Sequence, residues 1–434
     1  MKRVAIVTYW YPPMRTVASV RLAKFAKYLP AFGWEPFVFT ITPGSTRYTR
    51  AGALTDATPD DHVFRTSDPS LHTKIDRLRS RHDDARAKGS AADTSLRGTV
   101  LGRVAYRVYR EALCFPDETW PWLLQRRTIV AAARAVAPDV VFSSSPPATS
   151  HLIASAIARD LRKPWVADFR DPWSQTHTLP RFAPLRAVES IVERRTIRRA
   201  SALTTVTNAM ADQLASFHRK PVFVVHNGFD DEVQSRQADA PADERRFTLV
   251  HTGILYERTR TPAVLFDALS GLVARGDIDP REIVIRFYGR NLDIAARELA
   301  RRPAIAPSVE LCGEVSYGDS LTVQQRATAL LLLEWTDARA SGVLTGKIFE
   351  YFAAGRPILA IGPRGGEIDR LLARTKRGSL AADASEAAKL LLAAVKQFRA
   401  SGTLACDTGG ESIDQFSRRA LTGRLAGVFD TVAR

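Results

Sequence analysis

The sequence is poor in cysteine and has no long apolar run. Its 434 residues include three cysteines, Cys114, Cys312 and Cys406. An odd number so widely separated suits neither a disulfide framework nor a cysteine-based zinc site, so we expect a reducing, cytoplasmic environment. No segment approaches the ~18 uninterrupted apolar residues that cross a bilayer. Residues 1–10 begin like a signal peptide but soon meet Pro12 and Pro13 without a small-residue cleavage site, which favours a buried strand.

Positive charge is abundant and unevenly distributed. The chain has 62 Lys and Arg against 46 Asp and Glu, a net charge of +16. Residues 1–230 hold 34 basic and 20 acidic residues, a net +14, whereas residues 231–434 hold 28 and 26. Such asymmetry points to a polyanion, either nucleic acid or an anionic membrane surface. A hydrophobic content of 45% with 25% charged residues excludes disordered, collagen-like and coiled-coil chains.

Short apolar runs alternate with helical stretches in both halves. The predicted strands are residues 4–9, 36–41, 139–143, 165–169, 247–252, 283–288, 309–312, 330–333 and 357–361. Helices are predicted at 19–29, from about 151, at 262–274 and at 347–354. This order predicts an α/β fold of two Rossmann-like, doubly wound parallel-sheet domains that face each other across a cleft. We expect the domains to be residues 1–230 and 231–434, with the final helix packing back on the first domain.

Two basic segments stand out in the first half. Residues 43–110 interrupt the strand–helix order, and residues 100–110, with Arg103, Arg107 and Arg110, are typical of a basic amphipathic helix. A solvated surface insertion and contact with a membrane surface both stay open for this segment. The pairs Arg194-Arg195 and Arg198-Arg199 recur at helical spacing, and alone they indicate a solvated helix face.

The sharpest motif lies between Ser341 and Pro357. It is similar to a P-loop, but its glycines are separated by three residues rather than four, and Ile348 takes the place of the magnesium-binding hydroxyl residue. A Walker site is therefore excluded. Thr345 is placed to cap a helix whose free amides and positive dipole end suit a phosphate. Lys347 and Glu350, one turn apart, suit phosphate and ribose hydroxyls, and the alternative is an ion pair within an ordinary buried helix.

Residues 347–359, KIFEYFAAGRPIL, resemble the donor-binding signature of GT-B glycosyltransferases, in particular the large retaining family 4 group. Weaker matches support this resemblance because they follow the family's order along the chain. They are Tyr9-Trp10-Tyr11-Pro12-Pro13, Ser19-Val20-Arg21, Phe32-Gly33-Trp34-Glu35, Ser145-Pro146-Pro147 with His151, Asp168-Phe169-Arg170-Asp171-Pro172-Trp173, Asn227-Gly228-Phe229-Asp230 and Thr252-Gly253. The segment from Asp168 is similar to a bacterial branch that builds cell-surface polysaccharides.

The resemblance implies roles for individual residues. In the family the glutamate holds the nucleotide ribose, and the lysine or nearby amides hold the diphosphate. The implied donor-binding residues are Gly253, Arg258, Arg260, Gly313, Thr345, Gly346, Lys347 and Glu350. The implied catalytic residues are Lys347, Arg260, Asp171 and Asp168, and the acceptor-side residues are Pro13, Ser19, Arg21, His151 and Arg170. For the residues that follow strand 165–169 a salt-bridged turn is the alternative, and for His151 it is a buried histidine at a helix start.

The sequence departs from the family pattern at three sites. Gly342 stands where the first of two paired glutamates should be, which leaves the sugar and part of the catalytic scheme open. Arg15 and Thr16 replace a Gly-Gly loop, and Ile254 stands where an arginine often follows the glycine. The last change leaves more of the phosphate binding to Arg258 or Arg260.

The leading hypothesis is a glycosyltransferase that moves a sugar from a nucleoside-diphosphate sugar to a lipid-linked or saccharide acceptor. The resemblance implies retention of configuration and synthesis of cell-surface polysaccharide. We expect no metal or other cofactor, because basic side chains and helix amides can stabilise the leaving diphosphate. We also expect a cytoplasmic protein that sits peripherally on the inner face of the plasma membrane. A nucleotide-sugar epimerase of the same fold is the alternative, and a nucleic-acid-binding protein is less favoured because basic and aromatic residues are not interleaved.

Overall fold

The computed structural model describes residues 1–14, 16–43, 58–69, 114–176, 182–230, 246–257, 259–335 and 344–434. Internal contacts divide the chain into two compact units. The first unit is Met1–His226 together with Leu421–Arg434, and the second is Asn227–Ala420. The contacts therefore place the start of the second unit four residues before the predicted position, 231.

A seven-stranded parallel sheet forms the centre of the first unit, with the strand order β3-β2-β1-β4-β5-β6-β7. Its strands are β1 Lys2–Val7, β2 Trp34–Ile41, β3 Val63–Thr66, β4 Val140–Ser145, β5 Trp165–Phe169, β6 Ala202–Thr205 and β7 Val222–Val224. β4, β5 and β6 are buried along their whole length. This burial is expected where helices cover both faces of a parallel sheet.

Besides the last helix of the chain, five helices in the described part of the first unit precede or follow these strands. They are α1 Val17–Tyr28, α2 Arg126–Val136, α3 Thr149–Leu161, α4 Ala183–Ile197 and α5 Asn208–His218. Threonine caps two of them: the Thr16 Oγ1 accepts from the Ser19 N–H at 3.1 Å, and the Thr207 Oγ1 accepts from the Met210 N–H at 3.2 Å. One hydrophobic cluster contains Trp122 and Trp165, and a second contains Trp34.

The second unit has a six-stranded parallel sheet of order β10-β9-β8-β11-β12-β13. The strands are β8 Phe247–Ile254, β9 Ile283–Arg290, β10 Val309–Gly313, β11 Ala329–Leu333, β12 Ile358–Ile361 and β13 Gly378–Ala381. The helices are α6 Ala263–Ala274, α7 Asp293–Ala300, α8 Tyr317–Gln325, α9 Lys347–Ala354, α10 Glu367–Thr375 and α11 Ala384–Ser401. Two parallel sheets with interleaved helices confirm the predicted α/β fold.

The carboxyl ends of β8 and β9 approach each other closely at two glycines. Gly253 and Gly289 are paired across the sheet. Gly289 has φ of +136°, and a Cβ there would lie 1.8 Å from the carbonyl oxygen of Gly253. Only glycine fits at position 289, because any side chain would meet both steric strain and a backbone atom.

The last helix, α12 Arg418–Val432, completes the core of the first unit from Leu421 onward. Its residues Leu421, Leu425 and Phe429 belong to the same cluster as Trp34 and Phe142. The Phe429 ring meets those of Trp34 and Phe142 edge-on, with centroids 5.4 Å away in each case. The C-terminal segment is therefore part of the first unit, although it follows the second in sequence.

Part of the predicted insertion at 43–110 is a strand. Residues 63–66 form β3, which pairs with β2 from Val38 opposite Val63 to Ile41 opposite Thr66. The prediction of an insertion over this whole segment is wrong at these positions, because one short strand among polar residues gave little apolar signal. The predicted basic helix at 100–110 lies outside the described residues, as do Arg15, Arg258 and Gly342. No helix among the described residues is long and apolar enough to cross a membrane.

Candidate active site

The N-terminus of α9 lies at the carboxyl edge of the second sheet. Gly346 is its N-cap residue and no side chain caps the helix. The Thr345 Oγ1 accepts from the Lys347 N–H at 3.4 Å, too long for a strong bond, so the predicted cap by Thr345 is wrong. A Cβ on Gly346 would meet no atom of the described residues within 4 Å. The first amides of α9 make local contacts: the Ile348 N–H donates to the Thr345 carbonyl oxygen at 3.4 Å and the Phe349 N–H to that of Gly346 at 3.2 Å. Because no side chain caps the helix, its positive dipole end suits a phosphate.

Lys347 and Glu350 form an ion pair on the first turn of α9. The Lys347 Nζ donates to the Glu350 Oε2 at 2.6 Å, and the side chains are 28% and 22% exposed. The intrahelical pair that the sequence left as an alternative is therefore present. A half-exposed i, i+3 pair of this kind is worth only about 0.3–0.5 kcal/mol, so it leaves both groups available to a ligand.

His251 offers a buried acceptor nitrogen beside Gly253. Its Nδ1 donates to the carbonyl oxygen of Leu331 at 3.0 Å, so the hydrogen is on Nδ1 and Nε2 carries a lone pair. Nε2 has no hydrogen-bond partner among the described residues. Burial lowers the pKa of His251 to about 4, so the ring is neutral at pH 7. A Cβ placed on Gly253 would lie 3.4 Å from Nε2, which locates this nitrogen next to the predicted donor-binding glycine.

Glu334 directly follows β11 and is the most unusual side chain of the second unit. It is 3% exposed, yet neither carboxyl oxygen has a hydrogen-bond partner within the described part of the chain. Burial raises its pKa to about 8, against the opposing effect of Arg260. Gly362 makes room for it, because a Cβ there would lie 2.7 Å from the Glu334 Oε2. A buried polar group without a partner costs free energy, so such a group marks a candidate ligand contact.

Arg260 lies in the loop after β8, against two aromatic rings. Its guanidinium carbon is 5.7 Å from the ring centroid of Tyr256 and 5.4 Å from that of Trp335. The two rings stack with centroids 5.2 Å apart and an interplanar angle of 26°. Burial lowers the pKa of Arg260 from its usual value. The rings fix a cation close to Glu334 and to the first turn of the Lys347 helix.

Tyr351 ties α9 to two strands of the sheet. Its hydroxyl accepts from the Thr252 N–H at 3.0 Å and donates to the carbonyl oxygen of Leu331 at 3.2 Å. Burial raises the pKa of Tyr351 to about 12, so the hydroxyl keeps its proton. The same Leu331 carbonyl binds His251. Tyr351 therefore sets the position of Lys347 and Glu350 relative to Gly253.

Gly313 lies apart from this cluster. It ends β10, the edge strand, and β9 separates it from β8. Its φ of +80° explains the glycine, because a side chain is strained in that region. The structure brings Gly253, Arg260, Thr345, Gly346, Lys347 and Glu350 to neighbouring strand ends, and it does not bring Gly313 among them.

Asp168 and Arg21 form a buried ion pair in the first unit. Asp168 is fully buried and accepts from the Arg21 Nη2 at 3.2 Å, the Ser144 Oγ at 2.7 Å and the Thr204 Oγ1 at 2.8 Å. Arg21 is 1% exposed and also donates to the carbonyl oxygens of Val225 and His226. The predicted catalytic role of Asp168 and the acceptor contact of Arg21 do not fit this geometry, because the two groups are paired with each other and buried from solvent. The pair joins α1 to β4, β5, β6 and the segment after β7.

The residues that follow β5 are more accessible. Asp171 is exposed, and Arg170 is partly exposed. The Arg170 Nε donates to the Ser144 Oγ at 3.1 Å and its Nη2 to the carbonyl oxygen of Pro146. Pro13 is also partly exposed. The acceptor-side roles of Arg170 and Pro13 and the catalytic role of Asp171 stay predictions.

His151 and Ser19 are both buried. Ser19 lies in the first turn of α1, with its hydroxyl 2.8 Å from the Thr16 Oγ1, and serves the capping of that helix. His151 has no exposed surface, and its Nδ1 lies 2.8 Å from the Ser143 Oγ. Burial lowers the pKa of His151 to about 3, which keeps the ring neutral. The alternative of a buried histidine at a helix start describes its burial, but its Nε2 has no hydrogen-bond partner among the described residues, so its contact with an acceptor stays a prediction.

Comparison with known protein families identifies the family to which this chain is similar. The profile of Glycosyltransferase Family 4 matches residues 18–233, most of the first unit. The chain is a GT-B glycosyltransferase of the family 4 type. It is an enzyme that transfers a sugar, as the resemblance implied. No curated protein matches the sequence.

Solved structures similar to this glycosyltransferase cover nearly its whole length. HepE of Anabaena, in complex with UDP and glucose, is 13% identical, with a TM-score of 0.61 over 99% of this chain and 100% of HepE. WaaB, a lipopolysaccharide outer core galactosyltransferase, is 13% identical, with a TM-score of 0.54 over 99% and 100%. A putative UDP-N-acetylglucosamine 2-epimerase from Listeria monocytogenes is 10% identical, with a TM-score of 0.52 over 99% and 96%. At such low identity these likenesses show the fold.

Sequence reasoning missed three residues of this glycosyltransferase's second unit: His251, Glu334 and Tyr351. Glu334 carried a usable signal, because a charged residue directly after the apolar run 329–333 lies at the carboxyl edge of the sheet. Tyr351 sits inside the motif, but its partners are 20 and 99 residues away in sequence. Among the described residues no group of three His, Cys, Asp or Glu side chains is placed to hold a metal ion.

Proposed function

We propose that this glycosyltransferase takes its sugar from a nucleoside-diphosphate sugar bound at the carboxyl edge of the second sheet. One observation carries the proposal: the uncapped start of the Lys347–Ala354 helix holds Lys347 and Glu350, and the cations of Lys347 and Arg260 both act on the buried His251 beside Gly253. The positive end of a helix dipole with two cations suits a diphosphate, and a partly exposed carboxylate suits ribose hydroxyls. The complex of HepE with UDP and glucose supports the same kind of donor.

Each group has a part in the proposed reaction. Lys347, Arg260 and the first amides of α9 stabilise the charge that develops on the leaving diphosphate, without a metal or other cofactor. The His251 Nε2 is an unshared acceptor that suits a hydroxyl of the donor sugar. The resemblance to the retaining family 4 group implies transfer with retention. The leaving phosphate takes the proton of the acceptor hydroxyl, in place of the nucleophile and acid carboxylates of a two-step mechanism.

The acceptor in this proposal is a lipid-linked molecule or a saccharide bound by the first unit, with Arg170 and Asp171 as its polar contacts. The enzyme works in cell-surface polysaccharide or glycoconjugate synthesis, docked on the inner face of the plasma membrane. The net +14 of residues 1–230 and the basic segment 100–110 support an anionic surface as partner. WaaB, which acts on the lipopolysaccharide outer core, supports such a pathway.

Thermal unfolding in the presence of a panel of nucleotides tests the donor. A nucleoside diphosphate at a hundredfold excess over its Kd stabilises the fold by ~2.7 kcal/mol, so the correct base is expected to raise the melting temperature by several degrees. Nucleoside monophosphates serve as the matched control, because they lack the second phosphate. An unchanged melting temperature with every nucleoside diphosphate would contradict the proposal.

A nucleotide-sugar epimerase of the same fold is the second candidate, and the likeness to the Listeria protein favours keeping it. The buried groups His251 and Glu334 are the acid–base residues such an activity would use. Incubation with single nucleotide sugars and no acceptor separates the two functions. Interconversion of two nucleotide sugars would establish the epimerase, and consumption of donor only when an acceptor is added would exclude it.

A further inference from the structure

A cavity of about 180 Å³ lies on the first unit where three helices meet. Four arginines line it: Arg126 begins α2, Arg159 lies near the end of α3, Arg195 lies in the last turn of α4, and Arg199 follows that helix. The helix α3 packs against both α2 and α4, so the four side chains converge from separate elements. All four arginines are exposed. None of the four guanidinium groups has a hydrogen bond or ion pair with a described residue.

The acidic residues of the same three helices are engaged elsewhere. Asp160 pairs with Arg134. Glu189 accepts from the Trp173 Nε1 at 3.1 Å, and Glu193 accepts from the Ser174 N–H at 3.0 Å and lies 3.1 Å from the His218 Nε2. Both glutamates are buried. The acidic residues of these three helices therefore do not compensate the positive charge around the cavity, and an anion bound there would relieve the mutual repulsion of the four guanidinium groups.

The size and chemistry of the cavity indicate the kind of anion. Pockets for whole small molecules have volumes of about 300–1,000 Å³, so a cavity of about 180 Å³ suits a phosphate group rather than a nucleotide. The guanidinium fork matches the geometry of phosphate oxygens. The buried Ser155 and the aliphatic Leu152 line the rest of the wall.

Apolar side chains lie exposed next to these arginines. Val188 and Ile191 on α4 are 47% and 49% exposed. Val188, Ile191 and Arg195 follow one another at spacings of three and four residues, which places them on one face of the helix, and Arg199 comes four residues later, just beyond its end. Leu124, two residues before Arg126, is 70% exposed. Exposed aliphatic groups beside arginines are typical of a surface that lies in the headgroup region of a bilayer, and a soluble phosphate needs no such groups.

We propose that Arg126, Arg159, Arg195 and Arg199, with Leu124, Val188 and Ile191, form a docking face that binds the phosphate headgroups of an anionic bilayer. This inference rests on the proposed function in one respect: a lipid-linked acceptor is the reason for the enzyme to dock on a membrane. The face itself is independent of the donor site, which belongs to the second unit. It shares no residue with the basic segment 100–110.

Co-sedimentation of the full-length protein with vesicles tests the docking face. The vesicles contain phosphatidylglycerol and phosphatidylcholine, with pure phosphatidylcholine for comparison. The pocket variant is Arg126→Gln with Arg199→Gln. The matched control is Arg127→Gln with Arg198→Gln, which removes the same charge from adjacent exposed positions that do not line the cavity. Each arginine near an anionic bilayer contributes roughly a factor of five in partitioning, so the pocket variant is expected to bind about 25-fold more weakly.

Two further arms complete the test. The double variant Val188→Ser with Ile191→Ser leaves the charge unchanged and is expected to weaken vesicle binding as well. Added salt is expected to weaken the vesicle binding of every variant and of the wild type. Equal losses in the pocket and control variants, or binding of inorganic pyrophosphate without any binding of vesicles, would overturn the docking face. Nucleoside-diphosphate stabilisation is measured on the same variants. Normal vesicle binding without stabilisation by any nucleoside diphosphate would refute the proposed donor alone. Stabilisation by a nucleoside diphosphate without vesicle binding would refute the docking face alone.

Discussion

At the residue scale, burial and hydrogen bonding separate the polar groups that hold the fold from those that are available to a ligand. Asp168 is sealed inside the first unit and accepts three hydrogen bonds. Glu334 and His251 are buried to a similar degree, yet both keep oxygen or nitrogen atoms without partners among the described residues. Because an unpartnered buried polar atom costs free energy, the second pair is the better guide to a binding site.

Replacing Asp168 by Ala is expected to destabilise the first unit. The change leaves Arg21 buried without its counter-charge, and breaking a buried pair from one side costs about 3–5 kcal/mol. Urea denaturation measures the loss. Asp171→Ala is the control, since an exposed carboxylate three residues away supports no buried cation. A variant of Asp168 as stable as the wild type would mean that the pair is not needed for the fold.

Lys347 and Glu350 are expected to affect function far more than stability. Their ion pair contributes only about 0.3–0.5 kcal/mol, so Glu350→Ala should keep the fold and weaken donor binding. Lys347→Ala should lower turnover more than donor affinity, by the roughly 1.5–3 kcal/mol that one charge-assisted contact provides. Steady-state kinetics with the donor varied give both quantities. Wild-type donor kinetics in both variants would show that the site is assigned to the wrong residues.

The raised pKa of Glu334 makes stability depend on pH. Its folded-state pKa of about 8 exceeds the ~4.3 of an unfolded glutamate, so the folded state binds the proton more tightly. The resulting stabilisation is complete below pH ~4.3 and is lost as the pH rises toward 8, at about 1.4 kcal/mol per unit. Arg260 and Asp369 are the charged groups that influence this carboxyl.

Glu334→Gln removes this titration. Relative to the wild type, the variant is expected to gain stability steadily between pH 5 and pH 8, because an amide cannot ionise. Chemical denaturation at several pH values measures the difference. Two curves that stay parallel over this range would show that Glu334 is not held in its neutral form.

At the element scale, the carboxyl ends of β8 and β9 depend on glycine. Gly289→Ala is expected to destabilise the second unit by more than the roughly 1–2 kcal/mol of a left-handed backbone alone, because the new methyl group would also meet the Gly253 carbonyl. Gly402→Ala is the matched control: Gly402 has φ of +70° but nothing within 4 Å of the added Cβ among the described residues. Thermal denaturation compares the two. Similar losses in both variants would show that the strand ends separate at little cost.

At the scale of the whole molecule, the first unit is closed by the end of the chain. Phe429→Ala is expected to cost about 3–5 kcal/mol, because the fully buried ring packs between Trp34 and Phe142. Hydrogen exchange measured by mass spectrometry is expected to show faster exchange in β1 and β4 and unchanged exchange in β11 and β12. Uniformly faster exchange in all four strands would show that the two units do not unfold separately. The exposed Leu311→Ala serves as the control.

The sequence determined the fold class and most of the central strands. Strands of a parallel sheet that is covered on both faces have continuous apolar sequences, which can be detected directly. The strand 165–169 and the helix 347–354 were predicted with the bounds that the structure has. The short strands β3, β6, β7 and β13 were not predicted, because runs of three or four residues are too short to show a period. The motif around Lys347 also came from sequence, since its spacing along one helix is local.

Only the tertiary structure decided which polar groups face a ligand. Asp168 and Glu334 each follow an apolar run, and nothing in their neighbours along the chain tells them apart. Asp168 is saturated by Arg21, Ser144 and Thr204, which are 147, 24 and 36 residues away, whereas Glu334 meets no donor in the described part of the chain. The four arginines of the docking face likewise converge from three helices that are separate in sequence. Hydrophobic periodicity is a local property of the chain, but the partners of a buried charge are set by which strands and helices become neighbours.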